Sequence, residues 1–124
     1  MTPVRSYRDL VVWQKAMALA ALCYTTTRSF PRTEAFGMTV QIRRSAASIP
    51  ANIAEGNGRE HTGSYIQFLR VSQGSLKELE THVLLAQTVE LMDKADAEQI
   101  LGMSDEVGRL LRSLIRALQE RLAR

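Results

Sequence analysis

The chain has 124 residues, of which 45% are hydrophobic and 23% are charged, and its formal net charge is +3. This length is enough for one domain with its own hydrophobic core, without support from metals or disulfides. The aromatic share of 6%, with three prolines and seven glycines, argues against an all-β or a disordered chain. Composition therefore predicts a single helical domain over residues 1–124.

Cysteine content and hydropathy indicate the compartment. Cys23 is the only cysteine, so an internal disulfide is impossible and a reducing compartment is expected. The neighbours of Cys23 are apolar, which predicts a core position and not a reactive thiol. No apolar run approaches the length of a signal-peptide core or a membrane span. We therefore expect a cytoplasmic protein without membrane contact.

The first predicted helix spans about residues 8–28 and is apolar on two faces. Apolar residues recur every three or four positions in two series, which lie roughly 110° apart around a helix. One apolar face is enough for a helix of a four-helix monomer. The additional apolar face therefore indicates either deep burial of the helix or a subunit interface. In so short a chain the interface is favoured. The two series are Leu10, Trp13, Met17, Ala20 and Tyr24, and Val12, Ala16, Leu19, Cys23 and Phe30.

The second predicted helix spans about residues 34–57, and Thr33 or Glu34 can cap its start. Its many serines and alanines allow neighbouring backbones to come close. Pro50 lies inside it, removes one backbone hydrogen bond and clashes with the carbonyl group four residues earlier. The sequence therefore predicts a kink near residues 46–50.

One face of this second helix is entirely polar. Solvated faces usually carry lysine and glutamate, whereas short polar side chains suit tight packing. Three interpretations remain open: a solvated outer face, a hydrogen-bond network with third-helix groups such as Ser72 and Ser75, or a contact with a ligand or nucleic acid. The face consists of Gln41, Arg44, Ser45, Ser48, Asn52 and Glu55.

The third and fourth predicted helices span about residues 62–92 and 95–122. Both carry an apolar stripe at helical spacing, and Asp93 or Asp96 can cap the fourth. Gly74 stands where a helix interior would prefer alanine, which predicts a close helix contact. The short connections force neighbouring helices to run antiparallel. The predicted fold is therefore an all-α, up-down-up-down four-helix bundle.

Positive charge is concentrated in two regions. Residues 1–44 hold seven Lys/Arg and two Asp/Glu, for a net charge of +5, whereas residues 45–92 hold three and five, for −2. Residues 93–124 hold six of each, but residues 107–124 carry five arginines and one glutamate. The basic regions thus surround Arg43–Arg44 and follow the last helix.

Three arginines of the last helix stand at positions i, i+3 and i+7 and so share one side of it. An ordinary solvated face, partly neutralised by nearby carboxylates, is one interpretation. Contact with a phosphate backbone is the other, and assembly of several copies would strengthen it by aligning several such faces. We call Arg109, Arg112 and Arg116 the arginine face.

Side chains that support catalysis or bind metal are sparse. His61 falls in a loop, and His82 stands four residues after Glu78, which is not the Glu-x-x-His spacing of di-iron bundles. Gly56-Asn57-Gly58 lacks the lysine of a phosphate-binding loop and follows no strand. No nucleophile has a partnered base. We therefore expect no catalytic residues, no metal and no cofactor.

Several segments resemble those of one known family. The four-helix-bundle proteins encoded by intervening sequences of bacterial large-subunit ribosomal RNA genes have similar segments, and the resemblance covers about Tyr7 to Leu118. It implies an up-and-down bundle that assembles with itself as a homopentamer. The segments are DLVVWQK at residues 9–15, FP at 30–31, QIRRS at 41–45, SIPANIAEG at 48–56, FL at 68–69 and GSLKELE at 74–80.

That family is in turn similar to the accessory variability determinant of diversity-generating retroelements. This helper is pentameric and is thought to bind nucleic acid and a reverse transcriptase through basic residues. By this resemblance, Arg43 and Arg44 are candidate phosphate contacts.

The sequence thus predicts a non-enzymatic, oligomeric accessory protein. It would bind the phosphate backbone of RNA or DNA through Arg43, Arg44 and the arginine face without reading bases. The alternative is an oligomeric scaffold that binds a protein partner and has no nucleic-acid role. Arginines clustered on one exposed surface favour the first interpretation, whereas arginines paired with neighbouring carboxylates favour the second.

Overall fold

The computed structural model describes residues 5–124 and is an antiparallel four-helix bundle, as predicted; residues 1–4 of the predicted domain lie outside the described residues. Helix α1 packs against α2 and α4, and α3 packs against the same two helices. Helices α2 and α4 are therefore diagonal to each other, as are α1 and α3. The helices are α1 (Val11–Thr27), α2 (Met38–Asn57), α3 (Thr62–Thr88) and α4 (Lys94–Ala123).

Helix α1 begins three residues later than expected, because the residues before it form a separate 3₁₀ turn, Tyr7–Asp9. Ser6 caps this turn by accepting a hydrogen bond from the backbone N–H of Arg8 at 3.1 Å. Asp9 closes the capping box by accepting one from the N–H of Ser6 at 3.3 Å. This capped turn is separate from α1, so the helix begins only after it.

The start of the second helix was also predicted wrongly, since α2 begins at Met38 and not at 34. Arg32–Glu34 form a 3₁₀ turn that follows Pro31. Glu34 still acts as a cap, because its Oε1 accepts a hydrogen bond from the backbone N–H of Met38 at 3.1 Å. Its carboxylate thereby satisfies one of the free donors at the positive end of the helix.

The third helix ends at Thr88, four residues earlier than expected. Glu90 has a φ of 64°, a left-handed conformation that cannot continue an α-helix. The N–H groups of Leu91 and Met92 then turn back and donate to the carbonyl oxygen of Ala86, at 2.8 and 3.2 Å. Asp93 caps α4, because its Oδ1 accepts from the N–H of Asp96 at 2.8 Å.

Aliphatic side chains from all four helices form the core. Cys23 is fully buried among them, and burial raises the pKa of its thiol to about 12, which keeps it protonated near neutral pH. Within residues 5–124, no helix combines the length and the hydropathy that a membrane crossing requires. The largest fully buried aliphatic side chains are Leu19, Ile42, Ile49, Ile53, Leu69, Leu76, Leu79, Val83, Ile100, Val107 and Leu111.

Helices α2 and α3 lie in close contact at Gly56. A Cβ at this position would lie 2.8 Å from Phe68 Cβ and 2.9 Å from Tyr65 Cδ1. The close contact predicted for Gly74 was wrong, because nothing lies within 4 Å of a Cβ built there. Helix α2 is continuous through Pro50, and the kink expected near that residue stays a prediction.

Gly56→Ala is expected to destabilise the protein by about 1–3 kcal/mol, because the added methyl group forces α2 away from α3. Gly74→Ala is the matched control and is expected to stabilise it by about 0.5–1 kcal/mol, since it improves helix propensity without a clash. Urea unfolding of both variants measures the two free energies. Equal stability of Gly56→Ala and the parent chain would contradict the close contact.

Candidate nucleic-acid interface

Arg43 connects α2 to α1. Its Nε donates a hydrogen bond to Thr27 Oγ1 at 2.9 Å, and one terminal nitrogen donates to the carbonyl oxygen of Tyr24 at 3.4 Å. The guanidinium carbon also lies 4.7 Å from the centre of the Tyr24 ring. Arg43 is half-buried, and its two hydrogen bonds and its contact with the Tyr24 ring all go to residues of α1. Its contribution inside the fold is therefore structural.

Arg44 lines a space between α2 and α3, which we call the α2–α3 cleft, and it also lines a neighbouring space that reaches Tyr24 of α1. Arg44 is exposed and forms no ion pair with any residue in 5–124. Its guanidinium is thus free for a ligand. The cleft has a volume of about 310 Å³ and is lined by Gln41, Arg44, Ser45, Ser48, Ser75 and Glu78.

The polar face of α2 is divided between packing and solvent. Ser48 Oγ lies 2.8 Å from Ser75 Oγ of α3, and Asn52 Nδ2 donates to Ser48 Oγ at 3.0 Å. Ser45 is buried, and its hydroxyl donates to the carbonyl oxygen of Gln41 at 2.9 Å. Glu55 is exposed and instead pairs with Arg59 at 2.6 Å. Ser45, Ser48 and Asn52 are thus held within or between the helices, whereas Gln41, Arg44 and Glu55 face outward.

The arginine face lies on the solvent side of α4, and its members differ in their partners. Arg109 Nη1 lies 3.1 Å from Asp105 Oδ2, and both side chains are 65% exposed, so this pair is weak. Arg112 and Arg116 are exposed and form no ion pair within the described residues. Glu106, a carboxylate near Arg109 on the same helix, pairs with Lys15 of α1 at 3.4 Å.

The two basic regions belong to helices that are not neighbours in the bundle. Arg43 and Arg44 lie on α2, whereas the arginine face lies on α4, which is diagonal to α2. A single chain therefore does not bring the five candidate arginines together into one patch. It presents two separate basic surfaces.

The histidines are not part of a metal site among residues 5–124, where no three His, Cys, Asp or Glu side chains converge. His61 is exposed and immediately precedes α3. His82 Nε2 lies 3.5 Å from Glu78 Oε1, and this buried nitrogen has no hydrogen-bond partner in the described part of the chain. The pair is an i, i+4 contact along α3.

An apolar groove between α1 and α2 has a volume of about 480 Å³. Met17 and Tyr24, which belong to the first of the two apolar series of α1, are 44% and 43% exposed there. The second wall consists of small residues of α2, and sequence reasoning did not assign them to this groove. We call it the α1–α2 groove; it is lined by Tyr7, Trp13, Met17, Ala20, Ala21, Tyr24, Ala47, Pro50, Ala51 and Ala54.

Arg43→Ala is expected to lower the free energy of unfolding by about 1–2 kcal/mol, because it removes two hydrogen bonds and a cation–π contact between α1 and α2. Arg44→Ala is the neighbouring control, and we expect a change within about 0.5 kcal/mol because its side chain is exposed. Chemical denaturation followed by circular dichroism compares them. Equal effects of the two substitutions would contradict the structural role of Arg43.

The chain is similar to a known protein family and to solved structures. A family model described as 23S rRNA-intervening sequence protein matches residues 8–113. A solved structure of a protein with unknown function from the S23 ribosomal protein family of Bacteroides thetaiotaomicron is similar, with a TM-score of 0.76 and 29% sequence identity. The similarity covers 85% of this chain and 98% of that chain. No curated protein matches the chain. Because the family model spans most of its residues, the chain belongs to the 23S rRNA-intervening sequence protein family.

Proposed function

We propose that the protein is a non-enzymatic accessory protein that assembles with copies of itself and binds the phosphate backbone of RNA or DNA. The observation that carries this proposal is the arginine face, on which Arg112 and Arg116 are exposed and free of carboxylate partners within residues 5–124. Guanidinium groups at one helical face displace counterions from a phosphate backbone. The resemblance to the accessory variability determinant supports the same role.

Binding of this kind depends on charge and position and not on base identity. Arg109 is held only by an exposed pair with Asp105, which a phosphate can replace at little cost. Arg121 and Arg124 extend positive charge to the end of α4, where it also offsets the negative end of the helix dipole. The affinity for nucleic acid should therefore fall steeply with salt.

The α1–α2 groove supports self-association. Its walls are almost entirely apolar, and a further apolar side chain, Phe36 in the connection between α1 and α2, is 98% exposed. Exposed apolar side chains that line one groove are typical of subunit contacts. A second copy is the occupant we propose. Assembly brings together the arginine faces of several chains, and the family resemblance suggests five.

A protein-binding scaffold is the second candidate, and a specific observation favours it. Asp105 already pairs with Arg109, and Glu106 pairs with Lys15, so part of the basic surface is neutralised within the chain. A scaffold needs no phosphate contacts. The two candidates therefore differ in whether the purified protein binds nucleic acid at low salt.

Fluorescence anisotropy with a labelled structured RNA and a matched duplex DNA, across a salt series, tests the proposal. We expect micromolar or tighter binding that weakens as salt rises. Arg112→Ala/Arg116→Ala should weaken binding and reduce the slope of log K against log salt by about 1–2, since two phosphate contacts are lost.

Two control variants locate the surface. Lys94→Ala removes a positive charge from the same helix, eighteen residues or about 27 Å from Arg112, and should change affinity little. Asp105→Asn should strengthen binding, because it releases Arg109 from its pair. Absence of binding to both nucleic acids at low salt would overturn the proposal and favour the scaffold.

A further inference from the structure

Opposite charges line the two walls of the α2–α3 cleft without pairing with each other. Arg44 stands on α2 and Glu78 on α3, and no ion pair joins them within 4.0 Å. Glu78 is 56% exposed, and its Oε1 lies 3.5 Å from His82 Nε2, which is beyond a good hydrogen bond. The cleft thus presents a donor group on one wall and an acceptor group on the other.

A hydroxyl pair beside these charges adds one more donor. Asn52 Nδ2 donates to the carbonyl oxygen of Ser48 at 2.8 Å and to Ser48 Oγ at 3.0 Å. Since a carbonyl only accepts, the Asn52 nitrogen must face Ser48. The bond between Ser48 Oγ and Ser75 Oγ, at 2.8 Å, uses one hydroxyl proton in whichever direction it runs. The other hydroxyl proton is therefore free for a ligand.

These groups limit what the cleft can bind. A phosphate alone would pair with Arg44 but would be repelled by the carboxylate of Glu78. A suitable ligand must offer acceptors to Arg44 and N–H donors to Glu78. The volume of about 310 Å³ lies at the low end of the roughly 300–1,000 Å³ range for small-molecule sites. A cleft of this size suits a small ligand with one ring or two fused rings.

We propose that the α2–α3 cleft binds an unpaired guanine base of single-stranded RNA. Guanine O6 and N7 are adjacent acceptors that match the guanidinium of Arg44. Its N1–H and N2–H groups point in parallel and match the two carboxylate oxygens of Glu78. Adenine, cytosine and uracil each lack a pair of parallel donors of this kind.

This inference rests on the proposed function, because RNA is the source of the base. It adds base recognition to a protein whose other contacts are with phosphates. Sequence-specific RNA binding commonly uses extruded, single-stranded bases in this way. Arg44 is then a specificity residue, whereas the arginine face supplies affinity for any sequence.

Anisotropy with a short oligouridine and the same oligonucleotide carrying one central guanosine tests the inference. The guanosine-containing strand should bind at least about fivefold more tightly. Arg44→Ala and Glu78→Gln should reduce this ratio to about one. Arg112→Ala should weaken both strands equally. Glu98→Gln on α4, which removes the same charge as Glu78→Gln from another exposed site, should leave the ratio unchanged.

A second measurement tests the cleft without depending on the arginine face. In ¹H–¹⁵N NMR spectra, guanosine 5′-monophosphate should shift the resonances of Gln41, Ser48, Ser75 and Glu78, and the adenosine, cytidine and uridine monophosphates should shift them less. Equal shifts with all four nucleotides, or none, would overturn the guanine site.

The two proposals fail in different ways. Binding of both RNAs with a ratio of one in the parent protein would reject the guanine site and leave the proposed function in place. Shifts from guanosine monophosphate without measurable binding of either RNA or DNA would support the site and reject the proposed function.

Discussion

At Gly56 the backbone of α2 lies so close to α3 that a methyl group would come within 2.8 Å of Phe68 Cβ. Further along the same contact, the buried hydroxyl of Ser72 donates to the carbonyl oxygen of Ile49 at 2.9 Å. Because the steric contact is short-ranged and the hydrogen bond is directional, together they fix α2 in one register against α3. That register determines which side chains of α2 face the α2–α3 cleft and which face α1.

Two adjacent arginines acquire different roles as a result. Arg43 turns toward α1 and is held by Thr27 and Tyr24, whereas Arg44 lines the α2–α3 cleft opposite Glu78. The arginine face lies on α4, diagonal to α2, so no single chain joins its basic regions. In the account proposed here, assembly through the α1–α2 groove supplies what one chain lacks, which is a continuous basic surface.

Much of the fold could be predicted from the sequence, because apolar periodicity and capping residues are local signals. The starts of α1 and α2 were missed because short 3₁₀ turns share the sequence pattern of a helix, and the end of α3 depends on the left-handed backbone of Glu90. Gly74 and Gly56 are both helical glycines, but only tertiary packing decides which one meets a neighbour. The partners of Arg43 are 16 and 19 residues away, and Glu78 faces Arg44 from another helix, so neither relation is visible in sequence spacing.

The dependence of RNA binding on assembly is the central claim, and one paired measurement tests it. Ala51→Glu introduces a charge into the α1–α2 groove at an exposed position, and Ala95→Glu introduces the same charge at the start of α4. Sedimentation velocity and RNA anisotropy are measured on the same samples. We predict that Ala51→Glu dissociates the oligomer and weakens RNA binding at least about tenfold, whereas Ala95→Glu does neither. A dissociated Ala51→Glu variant that binds RNA as tightly as the parent protein, or a parent protein that is monomeric, would contradict the account.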